Sequence, residues 1–152
     1  MAIVRQKTIV KLRKKAVCTS HSRSDGGMRG PVSTIDEQVE RDGSSHGLTP
    51  SETVIAALVG CTNVKAKKCA TKVGPDIGQF GIDAGCDFDR WGVTLAEKIE
   101  VPFKAIKLSV AASGPAKQVE LDLVAVETEE FCPLSKLFMA GGTKLEVIWR
   151  KD

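Results

Sequence analysis

Gly47-Leu48-Thr49-Pro50-Ser51-Glu52-Thr53-Val54-Ile55-Ala56-Ala57-Leu58-Val59-Gly60-Cys61 is the stretch on which this sequence turns. Thr49 is a residue type that caps helix N-termini, Pro50 suits a first helical position, and Glu52 stands three residues after Thr49 in a T-x-x-E capping box. Beyond the cap, Val54, Ile55, Ala57, Leu58, Cys61 and Val64 recur at the three-and-four spacing of one apolar helix face. Lys65, Lys67, Lys68 and Lys72 crowd the following turns, where cations suit a helix C-terminus, and Gly74-Pro75 stops the run. The spacing predicts one dominant helix over 50–73.

On the N-terminal side, residues 3–18 alternate loosely and predict a half-buried strand, with Val4, Thr8, Val10 and Leu12 among basic and polar residues. Ser20 to Pro31 gathers Ser, Asp, Gly and Pro and reads as a loop or hairpin, Pro31 to Glu40 as a second strand, and Arg41 to Gly47 as a turn. On the C-terminal side, strands are expected at 80–88, 92–100 and 104–112. The segment 116–130 fits a strand through Val119, Leu121 and Leu123 or a helix through Val119, Leu123 and Val126; its acid-rich length favours the helix. A short helix from Pro133 to Ala140, closed by Gly141-Gly142, and a last strand through Leu145, Val147 and Trp149 complete an α+β reading.

Composition bounds the function. The 152 residues fit one domain, or two small ones sharing a core, and 42% hydrophobic with 27% charged residues is an ordinary globular mix. The longest apolar stretch, around Val54 to Gly60, is far short of the roughly 20 residues that cross a bilayer. Arg5, Lys7 and Lys11 stand where a secretory core would lie, so no membrane partner is expected. Five cysteines without framework spacing suit free thiols in a reducing cytoplasm. Residues 1–30 carry eight Lys or Arg against one acid, yet the chain has no Tyr and only 5% aromatics, poor material for stacking on bases. No nucleic acid partner is expected.

The residues able to carry chemistry are thiols. Cys61 lies on the apolar helix face, where a free cysteine commonly acts as a small buried hydrophobe. Cys132 precedes Pro133 and so falls at a helix N-cap, where unpaired N–H groups and the helix dipole favour a thiolate. Cys18, Cys69 and Cys86 have no such setting. No C-x-x-C, H-E-x-x-H or Cys/His cluster suggests a metal. His21 and His46 sit in polar loops and read as surface histidines. Gly26-Gly27-x-x-Gly30 lacks the strand and helix that frame a phosphate cradle.

The run from Gly47 to Cys61, followed at a distance of 71 residues by Phe131-Cys132-Pro133-Leu134-Ser135, resembles the two cysteine motifs of the OsmC/Ohr family, the osmotically inducible and organic hydroperoxide resistance proteins. The resemblance implies a single OsmC-like domain over 1–152, with antiparallel sheets wrapped around a long central helix in an intertwined homodimer whose sites lie at the subunit interface. It also implies a thiol-dependent peroxidase that reduces organic hydroperoxides, or hydrogen peroxide, in the service of an oxidative stress response. Cys61 would be oxidised to a sulfenic acid, Cys132 would condense with it, and a dithiol or lipoylated reductant would reopen the disulfide, with no resident cofactor or metal.

In the peroxidase branches of that family, an Arg of the N-terminal loop supports the thiolate and is oriented by a Glu directly after the helix-starting Pro. Arg23 is the match here, with Arg29 the alternative. Ser51 occupies the place of the Glu, and Glu52 follows one residue later, about 100° around the helix. This departure leaves a second reading: a binding or thiol-carrier protein of the same fold that keeps the cysteine pair without peroxidase activity.

Overall fold

The computed structural model describes residues 8–152, which form two compact units, one up to Thr53 and one from Val54 onward. The N-terminal unit carries a three-stranded antiparallel sheet, β1 (Lys15–Cys18), β2 (Ser24–Gly27) and β3 (Val32–Ile35), in that order. Of the strand predicted over 3–18, residues 15–18 form β1 and residues 8–14 do not, while residues 3–7 lie outside those described. Ile9, Val10 and Leu12 are exposed rather than half-buried. β2 falls inside the segment read as a loop or hairpin, and the hairpin is what forms. Its Gly26 pairs with Ala16, and a Cβ there would collide with the Lys15 carbonyl, so the glycine permits a close strand approach.

The strand predicted over Pro31 to Glu40 ends early because the chain turns around Asp36. This fully buried carboxylate accepts hydrogen bonds from Ser22 Oγ (3.0 Å), Glu37 N–H (2.8 Å), His46 N–H (3.1 Å), Ser44 N–H (3.2 Å) and the Ser44 hydroxyl. Those bonds satisfy backbone groups that a continuing strand would have paired, and a short 3₁₀ turn at Val39–Arg41 follows.

Helix α1 runs over Pro50–Val73, as its spacing predicts, and the capping box forms. Thr49 Oγ1 accepts from the Glu52 N–H at 3.3 Å while Glu52 Oε2 accepts from the Thr49 N–H at 2.8 Å. Gly74 leaves the helix at φ 115°. The buried face is displaced from the predicted one: Leu58, Thr62, Ala66, Cys69 and Ala70 are buried, Cys61 is half-buried, and Val64 is exposed.

In the C-terminal unit, β4 (Phe80–Phe88), β5 (Phe103–Ala112) and β6 (Lys144–Lys151) form a sheet in that order. β4 and β5 pair antiparallel; β5 and β6 pair parallel, because the chain crosses over through α2 (Gln118–Phe131) and α3 (Pro133–Ala140). One core cluster gathers Ala66, Cys69, Val110, Leu121, Val124 and Trp149; a second gathers Leu58, Ile106, Leu108, Cys132 and Phe138.

Two expectations fail here. No strand forms over 92–100. Asp89 Oδ1 accepts from the Trp91 N–H, and local bonds such as Thr94 N–H to Arg90 O and Ala96 N–H to Trp91 O fold the segment into turns, leaving Trp91, Val93 and Leu95 exposed. Segment 118–131 is helical, but Leu121, Val124 and Thr128 face inward while Val119, Leu123 and Val126 are exposed. α2 carries two apolar stripes, and periodicity alone selects the wrong one.

Candidate active site

α1 and the α2–α3 junction bring Cys61 and Cys132 together, with Sγ atoms 3.2 Å apart. Cys61 stands in the fourth turn of α1, and Cys132 is at once the C-cap of α2 and the N-cap of α3, with extended backbone (φ −83°, ψ 110°). Pro133 fixes the first helical position of α3 and cannot continue α2, so the chain turns at Cys132. The turn points the thiol inward among Leu58, Ile106, Leu108 and Phe138. Cys132 is 0% exposed, whereas Cys61 remains half-buried.

The two sulfurs experience different fields. Burial pushes the Cys61 thiol up, the neighbouring Cys132 adds to the rise, and a hydrogen bond from the Leu134 N–H and the charge of Lys65 work against it. Burial also disfavours ionisation at Cys132, but it is outweighed by hydrogen bonds from the Ser135 hydroxyl, the Ser135 N–H (3.4 Å), Cys61 and the Leu134 N–H, so this thiol is held below its ordinary range. The arrangement is a pair of thiols in hydrogen-bond contact, one fully buried and held down, the other half-buried and pushed up.

Three contributors were not singled out by sequence. Ser135 stands three residues after the N-cap Cys132, the position whose N–H a cap receives, and Leu134 precedes it. Lys65 follows Cys61 by four residues and so shares its helix face. Both spacings are readable once the helix boundaries are fixed.

The remaining candidates belong to the N-terminal unit. Arg23 directly precedes β2 and donates through Nε to Asp25 Oδ2 at 2.9 Å. Arg29 occupies the exposed turn between β2 and β3 at φ 57°. Glu52 is engaged in the capping box, and its carboxyl is lowered first by the backbone bond to Thr49. His46 is exposed, with Nδ1 2.8 Å from Ser44 Oγ. Among the described residues Cys18 is exposed, Cys69 buried and Cys86 half-buried, and none is in a disulfide. No three His, Cys, Asp or Glu side chains among them converge as a metal site, and no helix is long and apolar enough to cross a membrane.

Comparison with known proteins gives a consistent answer about lineage. No curated protein matches the chain by sequence. Among solved structures, an OsmC-like protein from Mycoplasma pneumoniae superposes with TM-score 0.78 at 15% identity, covering 93% of this chain and 97% of that one. An organic hydroperoxide resistance protein OsmC from Legionella pneumophila gives TM-score 0.71 at 14% identity over 94% and 98%. The organic hydroperoxide resistance protein OhrB of Bacillus subtilis gives 0.63 at 14% over 93% and 98%. At these identities the likeness is one of fold. A sequence model of the family described as OsmC-like protein matches residues 42–148, a span that contains α1, Cys61, Cys132, β4, β5 and the first five residues of β6. With more than half of its length so matched, the chain belongs to the OsmC-like family.

Proposed function

We propose that the protein is a cysteine-based peroxidase acting on organic hydroperoxides. The observation that carries this reading is the 3.2 Å approach of two sulfurs 71 residues apart in sequence, one of them half-accessible. Cys61, as thiolate, attacks the terminal peroxide oxygen; the O–O bond breaks, Cys61 becomes a sulfenic acid, and the alkoxide leaves and takes a proton to give the alcohol. The Cys132 thiolate then attacks the sulfenic sulfur, the S–S bond forms and hydroxide departs. An external dithiol or lipoylated reductant returns the pair to two thiols by exchange, itself becoming a disulfide. The apolar surroundings suit the hydrocarbon part of an organic peroxide better than hydrogen peroxide.

The same reading takes residues 1–152 as one OsmC-like domain, supported by a family match that runs across the boundary at Thr53. It takes the working unit as a homodimer in the cytoplasm. Two observations favour the thiol-carrier alternative: Glu52 is occupied as a helix cap, and Arg23 is already paired with Asp25.

The deciding experiment treats the reduced protein with cumene hydroperoxide, tert-butyl hydroperoxide or hydrogen peroxide in the presence of a dithiol and follows peroxide loss, with peptide mapping of the oxidised protein. Catalytic consumption with a single Cys61–Cys132 disulfide supports the peroxidase. Absence of turnover with every peroxide, or first oxidation at Cys18, Cys69 or Cys86, transfers the protein to the carrier class.

A further inference from the structure

What the Cys61 sulfur needs in order to ionise is a positive charge. It accepts from the Cys132 thiol at 3.2 Å and from the Leu134 N–H, both neutral donors, while burial pushes its own thiol up. Cys86 of β4, the other titratable group packed on the same apolar cluster, is held neutral by its own burial. Arg23 is engaged by Asp25, and Lys136 of α3 by Glu130 at 3.7 Å. That leaves the lysines of α1.

α1 carries four lysines after Cys61, and three are set aside by partner or position. Lys67 donates to the Gly78 carbonyl and lies over the Phe80 ring, and Lys72 donates to Glu127 at 2.6 Å and lies over the Phe131 ring. Lys68 is exposed and two turns from Cys61, about 10 Å along the axis. Lys65 differs from all three. It is half-buried, one turn from Cys61, about 6 Å along the axis on the same face. Among the described residues its ammonium has no hydrogen-bond or ion-pair partner, unlike those of Lys67, Lys72 and Lys136. Helical side chains lean toward the N-terminus, so the Lys65 stem reaches back over the turn that carries Cys61. Its charge opposes the rise that burial causes in the Cys61 thiol.

We propose that Lys65 is a supporting cation of the peroxide site, holding the Cys61 sulfur as an anion from one turn along α1. The inference rests on the peroxidase reading above and names the charge that its first step needs. As the Cys61 thiolate bonds to the terminal oxygen, the O–O bond breaks and the departing alkoxide takes a proton from water. Lys65 keeps its own proton throughout. A lysine suits the place because its stem packs along apolar surface while its charged head stays hydrated.

The test reads the charge on Cys61 without any peroxide. Alkylation of the reduced protein by iodoacetamide is followed against pH, with peptide mapping to isolate Cys61, in the wild type, Lys65→Met, Lys65→Arg and Lys68→Met. Methionine is a good helix former of similar length, so α1 is kept. Lys65→Met should move the Cys61 profile upward and slow its alkylation at neutral pH about tenfold, the scale of one lost opposite charge. Lys65→Arg should restore both, and Lys68→Met should change neither. Single-turnover sulfenic acid formation with cumene hydroperoxide should follow the same order. An unmoved profile in Lys65→Met, an equal loss in Lys65→Arg, an equal shift in Lys68→Met, or peroxide oxidation that ignores Lys65→Met overturns the inference. Failure of the peroxidase reading looks different: wild-type Cys61 resists every peroxide while its alkylation profile still follows Lys65, and the cation keeps its hold on the thiol.

Discussion

The Arg23 guanidinium and the Asp25 carboxylate form an ion pair at 2.9 Å, and the other carboxylate oxygen accepts from Thr34 Oγ1 at 2.6 Å. One acid thus fixes the arginine and ties β2 to β3. The Thr34 and Arg23 hydrogen bonds hold the Asp25 carboxyl below its ordinary range, so the grip persists into mildly acid solution. Asp25 is the carboxylate that holds Arg23, and Ser51, directly after the helix-starting Pro50, carries none. If Arg23 is the cation that supports Cys61 during peroxide attack, Arg23→Ala should slow sulfenic acid formation by about 10²-fold. Asp25→Ala, which releases the guanidinium, should slow it less, and Arg29→Ala should leave it unchanged. Equal single-turnover rates in all three variants would remove Arg23 from the site.

The Thr49–Glu52 capping box should matter for stability. Thr49→Ala removes a buried cap and should cost about 1 kcal/mol in urea unfolding. Glu52→Gln keeps an acceptor for the Thr49 N–H and should cost less. Neither should alter the pH titration of the cysteine pair, because the box acts on the first turn of α1 and Cys61 stands in the fourth.

Asp36 predicts an acid limit. Its carboxyl is held well below the ordinary range, chiefly by the Ser44 hydroxyl, which together with the other bonds overcomes burial. A group depressed in the folded state stabilises the fold above its unfolded value and loses that contribution as pH falls. Melting temperature followed downward from neutrality should therefore begin to drop below about pH 4. Asp36→Asn should melt lower than the wild type at neutral pH and flatten the acid side of the curve. A curve parallel to the wild type would show that other carboxylates set the limit.

Homodimer formation predicts where apolar surface disappears. Val119, Leu123 and Val126 make an exposed stripe on α2, and Ile9, Val10 and Leu12 are exposed ahead of β1, apolar surface of the kind a homodimer would cover. Light scattering at micromolar concentration should give about twice 16.3 kDa, and the unfolding midpoint should rise with protein concentration. Leu123→Glu should shift the molecule toward a monomer. A concentration-independent midpoint with a mass of 16.3 kDa would refute the dimer.

What the sequence makes legible follows local chemistry. α1, α3 and the ends of β4, β5 and β6 are marked by caps, prolines and glycines that act within a few residues, and these elements stand within one or two residues of their predicted ends. The failures occur where distant partners decide. Val93 and Leu95 alternate as strand residues do, but backbone bonds around Asp89 and Trp91 close the segment into turns first. Along α2, two apolar stripes compete, and the packing of Leu121 and Val124 with Trp149 selects one. β2 is hidden in Ser, Asp and Gly because its strand character comes from pairing with β1 and β3 rather than from its side chains. At the site, the cysteines were visible from motif and spacing, whereas the division of charge between them depends on N–H groups that only the folded junction aims.

The 71-residue interval between Cys61 and Cys132 has a mechanical meaning. The chain between them contains β4, β5 and α2, so a bond across the two sulfurs would lace the C-terminal unit into a closed loop. Such a loop removes conformational freedom from the unfolded chain on the order of 4 kcal/mol, while the native sulfurs are already neighbours. Each oxidation would then tighten the protein against heat and proteolysis, and each reduction would slacken it, so that the chemical state of two atoms is written into the lifetime of the molecule.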